Sequence, residues 1–128
     1  MVVDDVLVNT VITRRLLERH GVTVDCAENG LEAVELFKSK TDYYYDCILM
    51  DIQMPVLDGI EAAEEIRAVK KRYSALVPIV AMTADAFIQE NSFGVSEFCD
   101  HIIKPVKPEE LYEKLVRIFN ESDRGISN

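Results

Sequence analysis

The chain has 128 residues, a size that buries one hydrophobic core but not two. Lys and Arg total 14 against 23 Asp and Glu, and the resulting net charge of −9 repels nucleic-acid phosphates and anionic bilayers, so neither is expected as a direct partner. Hydrophobic residues make up 48%, yet no run approaches the roughly 18–20 uninterrupted apolar residues of a membrane span, and the first residues do not resemble a signal peptide.

In chain order, the apolar pair at 2–3 predicts a first strand, and Val8, Val11, Ile12 and Leu16 follow at helical spacing. His20 reads as a surface residue closing that helix beside Gly21, and a second strand is predicted at 22–26. Asn29-Gly30 supplies cap or turn chemistry before a helix carried by Leu31, Val34 and Phe37. Tyr43-Tyr44-Tyr45 reads as a loop leading into a third strand at 46–50. Asp58-Gly59 then precedes a helix with Ile60, Ala63, Ile66 and Val69 facing inward, followed by a fourth strand at 77–82. A fourth helix is expected around 85–93 and a fifth strand at 98–103. Lys107-Pro108-Glu109-Glu110 starts a last helix with acids in its first turn and Leu111, Leu115, Ile118 and Phe119 at core spacing.

Residues 1–120 therefore form one domain, and 121–128, without apolar periodicity, read as a frayed tail. Cys26, Cys47 and Cys99 are an odd, scattered set, read as free thiols with small buried side chains in a reducing cytoplasm. Met50 and Met54 read as core or rim packing.

Near-continuous apolar strands alternating with amphipathic helices predict an α/β fold, a doubly wound five-stranded parallel sheet with helices on both faces. Such sheets hold their sites at the carboxyl ends of the strands. Four features fall on that edge: Asp4-Asp5 after the first strand, Asp51 closing the third, Thr83 ending the fourth and Lys104-Pro105 ending the fifth. Each alone has a structural explanation, as a turn former, cap or strand end. Together they are a constellation. Carboxylates about 4 Å apart repel by up to ~4 kcal/mol per pair at an effective dielectric near 20, so the cluster needs a cation. Oxygen ligands without His or Cys favour Mg²⁺, with Mn²⁺ as an alternative. A phosphoryl group on Asp51 would meet an ammonium, a hydroxyl and the metal. The bond before Pro105 admits the cis form.

The runs Val2-Val3-Asp4-Asp5, Leu49-Met50-Asp51-Ile52-Gln53-Met54-Pro55-Val56-Leu57-Asp58-Gly59, Val80-Ala81-Met82-Thr83-Ala84 and Lys104-Pro105 resemble the receiver domain of two-component response regulators, in the style of receivers attached to hybrid sensor histidine kinases. The resemblance implies a flavodoxin-like strand order 2-1-3-4-5. It implies Asp51 as phosphoacceptor and Asp4, Asp5, Asp51 and the Gln53 carbonyl around Mg²⁺. Thr83 and Lys104 would contact the phosphoryl group. The implied donor is phosphohistidine on a histidine kinase or histidine phosphotransfer domain, and the domain is not itself an enzyme beyond its own phosphorylation and dephosphorylation. Switching would couple Thr83 to the residue in the place of an aromatic on the last strand, here His101, which as a histidine offers pH sensitivity. Gln53 and Asp85 would tune the lifetime of the phosphoryl group. Departures are a short first strand, Val6 where kinase-attached receivers often carry Asn, and Glu97 where a Gly usually ends the fourth helix.

Two other readings compete. A haloacid-dehalogenase-like phosphohydrolase would want a second Asp two residues after the nucleophile, where Gln53 stands. A pseudo-receiver would bind without phosphotransfer, but Asp5, Asp51, Thr83 and Lys104 are all present. The expected setting is the cytoplasm or the cytoplasmic portion of a membrane-anchored sensor kinase. The signal, cognate partner and oligomeric state are not encoded legibly.

Overall fold

Consecutive strand residues point to opposite faces of a sheet, so a strand that is apolar at every position needs a packed layer on both sides. Val2-Val3, Ile48-Leu49-Met50 and Ile79-Val80-Ala81-Met82 are such runs, and all are buried. The computed structural model, which describes residues 1–41, 44–54, 56–69, 74, 76–84 and 98–127, with side chains to residue 120, supplies both layers. Its elements are β1 (Val2–Val3), α1 (Leu7–Glu18), β2 (Cys26–Ala27), α2 (Gly30–Ser39), β3 (Ile48–Asp51), α3 (Gly59–Ala68), β4 (Ile79–Thr83), β5 (Asp100–Ile103) and α4 (Pro108–Ser127). The strands form one parallel sheet in the order β2-β1-β3-β4-β5, as expected.

Alternation sorts the core into two clusters. Val3, Ile48, Met50 and Ile79 pack with Ala33, Val34 and Phe37 of α2 and Ala62, Ala63 and Ile66 of α3. Val2, Leu49, Val80, Met82 and Ile102 pack with Leu17 of α1 and Leu111, Leu115 and Ile118 of α4. The caps fall where the sequence placed them: Asn29 Oδ1 accepts from the Glu32 N–H at 2.8 Å and Asp58 Oδ1 from the Glu61 N–H at 2.9 Å. Pro108 opens α4, where its missing N–H has no intrahelical partner to lose.

Several expectations are corrected. The second strand is not 22–26 but Cys26–Ala27, because β1, its partner, supplies ladder positions only at Val2 and Val3. Of the expected α1 stripe, Leu16 packs against the core, but Val8, Val11 and Ile12 face outward, Val8 and Ile12 being 64% and 49% exposed, and Leu7 is exposed too. Thr10, Thr13 and Leu17 take the buried face. The helix entry sets this rotation, since Asp4 Oδ1 accepts from the Val6 N–H at 2.9 Å and the Thr10 hydroxyl packs over the Asp4 carbonyl at 3.4 Å. Leu31 of α2 is likewise exposed. The backbone of α4 continues to Ser127 through the expected frayed tail, since extending a formed helix adds one hydrogen bond per residue without a new nucleus. Cys99 is exposed rather than buried, while Cys26 and Cys47 are partly buried. Burial pushes the Cys47 thiol up to about 12. The predicted fourth helix, with Asp85 and Glu97, lies outside the described residues, as does Tyr43.

Gly59 opens α3 directly over the end of β3, with its N–H donating to the Ile52 carbonyl at 2.9 Å. A Cβ there would meet the Asp51 carbonyl oxygen and lie 2.7 Å from Ile52 Cα, both backbone. Gly59→Ala is therefore expected to destabilise the fold by about 3 kcal/mol, the upper end of overpacking costs, measured as a lower midpoint in urea unfolding.

Candidate functional site

Parallel register brings the ends of four strands to one edge of the sheet. Val3 of β1 pairs with Met50 of β3, so Asp4 follows beside Asp51. Asp51 in turn pairs with Met82, next to Thr83, and Thr83 pairs with Ile103, next to Lys104. The Thr83 carbonyl accepts from the Lys104 N–H at 2.7 Å, which ties the fifth strand end to the fourth. The Lys104–Pro105 peptide bond is cis.

At the centre, Lys104 Nζ lies 2.9 Å from Asp4 Oδ2 and 2.9 Å from Asp51 Oδ2, one ammonium between two carboxylates separated by 47 positions of sequence. Asp4 and Asp51 are buried, Asp5 is exposed, and ligand oxygens of all three lie within 4.8 Å of one another. The remaining oxygens are held by backbone: Asp51 Oδ1 accepts from the Gln53 N–H at 3.1 Å, and Asp4 Oδ1 from that of Val6. These are the donors that fix a carboxylate's orientation at the end of a strand.

Burial pushes the Asp51 carboxyl above the ordinary carboxylate range; Asp4 adds to the rise, and Lys104 opposes it. Burial also works against the Lys104 ammonium, but its hydrogen bonds to Asp4 and Asp51 outweigh this and hold its pKa above the usual lysine value. Among the described residues, the Lys104 ammonium thus faces the two buried carboxylates and a third at the rim. The deficit of positive charge and the all-oxygen donor set, with no imidazole or thiolate in the cluster, suit a hard divalent cation.

Asp4, Asp5, Asp51, Thr83 and Lys104 therefore converge, as the sequence placed them. Gln53 stands at the rim with an exposed side chain. His101 sits on β5 opposite Ala81, its side chain 46% exposed and its carbonyl accepting from Lys114 Nζ at 2.7 Å. Beside it, Asp100 pairs with Lys114 at 2.9 Å and Arg117 at 3.2 Å, an ion-pair group between β5 and α4 that sequence reading missed. An Asp before the His and a Lys and Arg three apart on the last helix were its only signals. Gly59 was read as a cap partner; its close approach to the Asp51 backbone was not foreseen.

The profile of the response regulator receiver domain matches residues 1–116. A hybrid signal transduction histidine kinase of Dictyostelium discoideum is 37% identical over 117 residues, 88% of this chain and 7% of that protein. Histidine kinase 3 of Arabidopsis thaliana is 33% identical over 139 residues, 94% of this chain and 13% of its own length. Among solved structures, the receiver domain of a Pseudomonas aeruginosa sensor histidine kinase, with magnesium coordinated in its active-site cleft, is 35% identical with a TM-score of 0.81. That match covers 93% of this chain and 94% of the other. Response regulator TrrA of Thermotoga maritima, in complex with Mg²⁺ and BeF, is 31% identical with a TM-score of 0.80, covering 91% and 95% of the two chains. The chain belongs to the response regulator receiver domain family, and it spans about a tenth of the length of these two kinases.

Removing Lys104 leaves Asp4 and Asp51 buried without their shared counter-charge. Lys104→Met should lower stability by about 3 kcal/mol in metal-free buffer. Adding Asp51→Asn to that variant should recover part of the loss, a coupling read from a double-mutant cycle of urea midpoints.

Proposed function

We propose that this chain is a phosphoacceptor of a two-component phosphorelay, taking a phosphoryl group from phosphohistidine onto Asp51. The observation that carries the reading is the single ammonium of Lys104 bound at 2.9 Å to both Asp4 and Asp51 at the end of β3. A buried carboxylate at a strand end, fixed by backbone and by one cation, is an oriented nucleophile; an arriving phosphoryl group brings oxygens to which that cation can bond.

In this reading an Asp51 carboxylate oxygen attacks phosphorus in line while the P–N bond to the donor imidazole breaks. The electron pair leaves on the imidazole nitrogen, which takes up a proton. Lys104 transfers a hydrogen bond to a phosphoryl oxygen, and the Thr83 hydroxyl approaches another from the end of β4. Asp4, Asp5 and Asp51, with the Gln53 carbonyl, would hold Mg²⁺ or Mn²⁺. When bound, the metal supplies positive charge to the phosphoryl oxygens as negative charge builds on them. Its fit rests on the acidic, all-oxygen cluster, and the two Mg²⁺-bound receiver structures support it.

The proposed donor is a histidine kinase or a histidine phosphotransfer domain. A hybrid histidine kinase is the proposed setting, with the domain on the cytoplasmic side, supported by the kinases among its relatives. His101 is proposed as the switch residue coupled to Thr83, its side chain outward in the present arrangement. Gln53, at the rim, is proposed to tune the approach of the hydrolytic water, with Asp85 in the same role.

Incubation with Mg²⁺ and acetyl phosphate should give one phosphate adduct by intact-protein mass. The adduct should be absent in Asp51→Asn and without divalent cation, and reduced at least about tenfold in rate in Lys104→Ala, a loss of one charged donor to the developing charge. An unchanged adduct in Asp51→Asn would contradict the assignment.

A further inference from the structure

β5 is an edge strand, so one side of its backbone has no neighbouring strand to bond. The Lys104 N–H turns inward to the Thr83 carbonyl, and alternation along a parallel ladder then turns the N–H and C=O of His101 outward. Two charged side chains close them. The His101 N–H donates to Asp100 Oδ1 at 2.7 Å, and the His101 carbonyl accepts from Lys114 Nζ at 2.7 Å. Charge-assisted bonds on both sides of one residue fix its backbone more firmly than neutral ones would.

Asp100 is the centre of this group. Its Oδ1 also accepts from Lys114 Nζ at 2.9 Å and its Oδ2 from Arg117 Nη2 at 3.2 Å, so two cations of α4 orient the carboxylate. Burial works against the charged form, but the bonds from Lys114 and from the His101 N–H, with Arg117 nearby, outweigh it and hold the Asp100 carboxyl below the usual carboxylate range. The same Oδ1 stands 3.9 Å from Nδ1 of the His101 ring. An outward imidazole therefore lies against a carboxylate that α4 holds in place. Alternation puts His101 on the face it shares with Ala81 and Thr83, so a ring that turns inward leaves Asp100 for the end of β4.

We propose, on the reading of His101 as the switch residue, that Asp100 is a positioning residue of the switch, a latch that holds the His101 imidazole outward and is itself set by Lys114 and Arg117. The latch ties β5 to α4: whatever draws Lys114 and Arg117 away from Asp100 frees both the His101 backbone and its ring. Its effect is on the balance between outward and inward rings, and the Asp51 cluster is left as it is.

The test reads the nuclear Overhauser effect between the His101 ring protons and the Thr83 methyl group, with and without Mg²⁺ and beryllium fluoride as a phosphoryl mimic. In the wild type the effect should grow when the mimic binds. Without the mimic, Asp100→Ala and Lys114→Gln should already show it at least about threefold stronger than the wild type, while Lys114→Arg, which keeps the cation, should not. Arg117→Gln, which cuts only the outer ion pair, should lie between. Wild-type intensity in Asp100→Ala and Lys114→Gln, even with a lowered Tm, would reduce the group to a structural ion pair and overturn the latch. No growth in the wild type with the mimic bound would overturn the latch together with the role of His101 as switch.

Discussion

One ammonium shared by two buried carboxylates is the interaction on which the rest of the site depends. Lys104 is the counter-charge shared by the buried carboxylates of Asp4 and Asp51, and its hydrogen bonds to them outweigh burial and raise its pKa. Each of the three comes from a different strand end, so the charge balance exists only when β1, β3 and β5 are in register. The arrangement is also incomplete. With Asp5 at the rim, three carboxylates face one cation. That imbalance makes the cluster receptive to a divalent metal.

Backbone close to Asp51 is as constrained as the charges. Gly59 lies where any side chain would strike the Asp51 carbonyl, so its lack of one lets α3 begin directly over the end of β3. The loop before α3 holds Val56 at φ +71, a left-handed conformation in which a β-branched residue is disfavoured. Local strain and close approach beside a reactive group are the features that packing elsewhere must sustain. Here β3 and β4 sustain them, with every residue of both strands buried.

Much of this was legible in the sequence. The alternation of apolar strands and amphipathic helices specified the doubly wound sheet, and the sheet alone placed residues as distant as Asp4 and Lys104 at one edge. The limits have physical causes. Helical periodicity marks a stripe on α1 but not which way it faces; that was decided by the turn from Asp4 into Val6 and by Thr10 packing on the strand end. The apolar stripe of Leu7, Val8, Val11 and Ile12 consequently points to solvent beside the site. The length of β2 could not be read from its own residues, because pairing is a property of two strands and β1 is short. The ion pairs of Asp100 with Lys114 and Arg117 join a strand to a helix across sequence gaps that periodicity does not register. The roles of Gln53 and His101 depend on chemistry that their positions alone do not decide.

The central claim is that Asp51 carries the phosphoryl group as an acyl phosphate. Borohydride reduction of the phosphorylated protein, followed by peptide sequencing by mass spectrometry, converts an aspartyl phosphate to homoserine at the position that bore it. Homoserine at position 51 alone is the predicted result. Homoserine at Asp4 or Asp5, or at no position in protein that carries a phosphate adduct, would contradict the account.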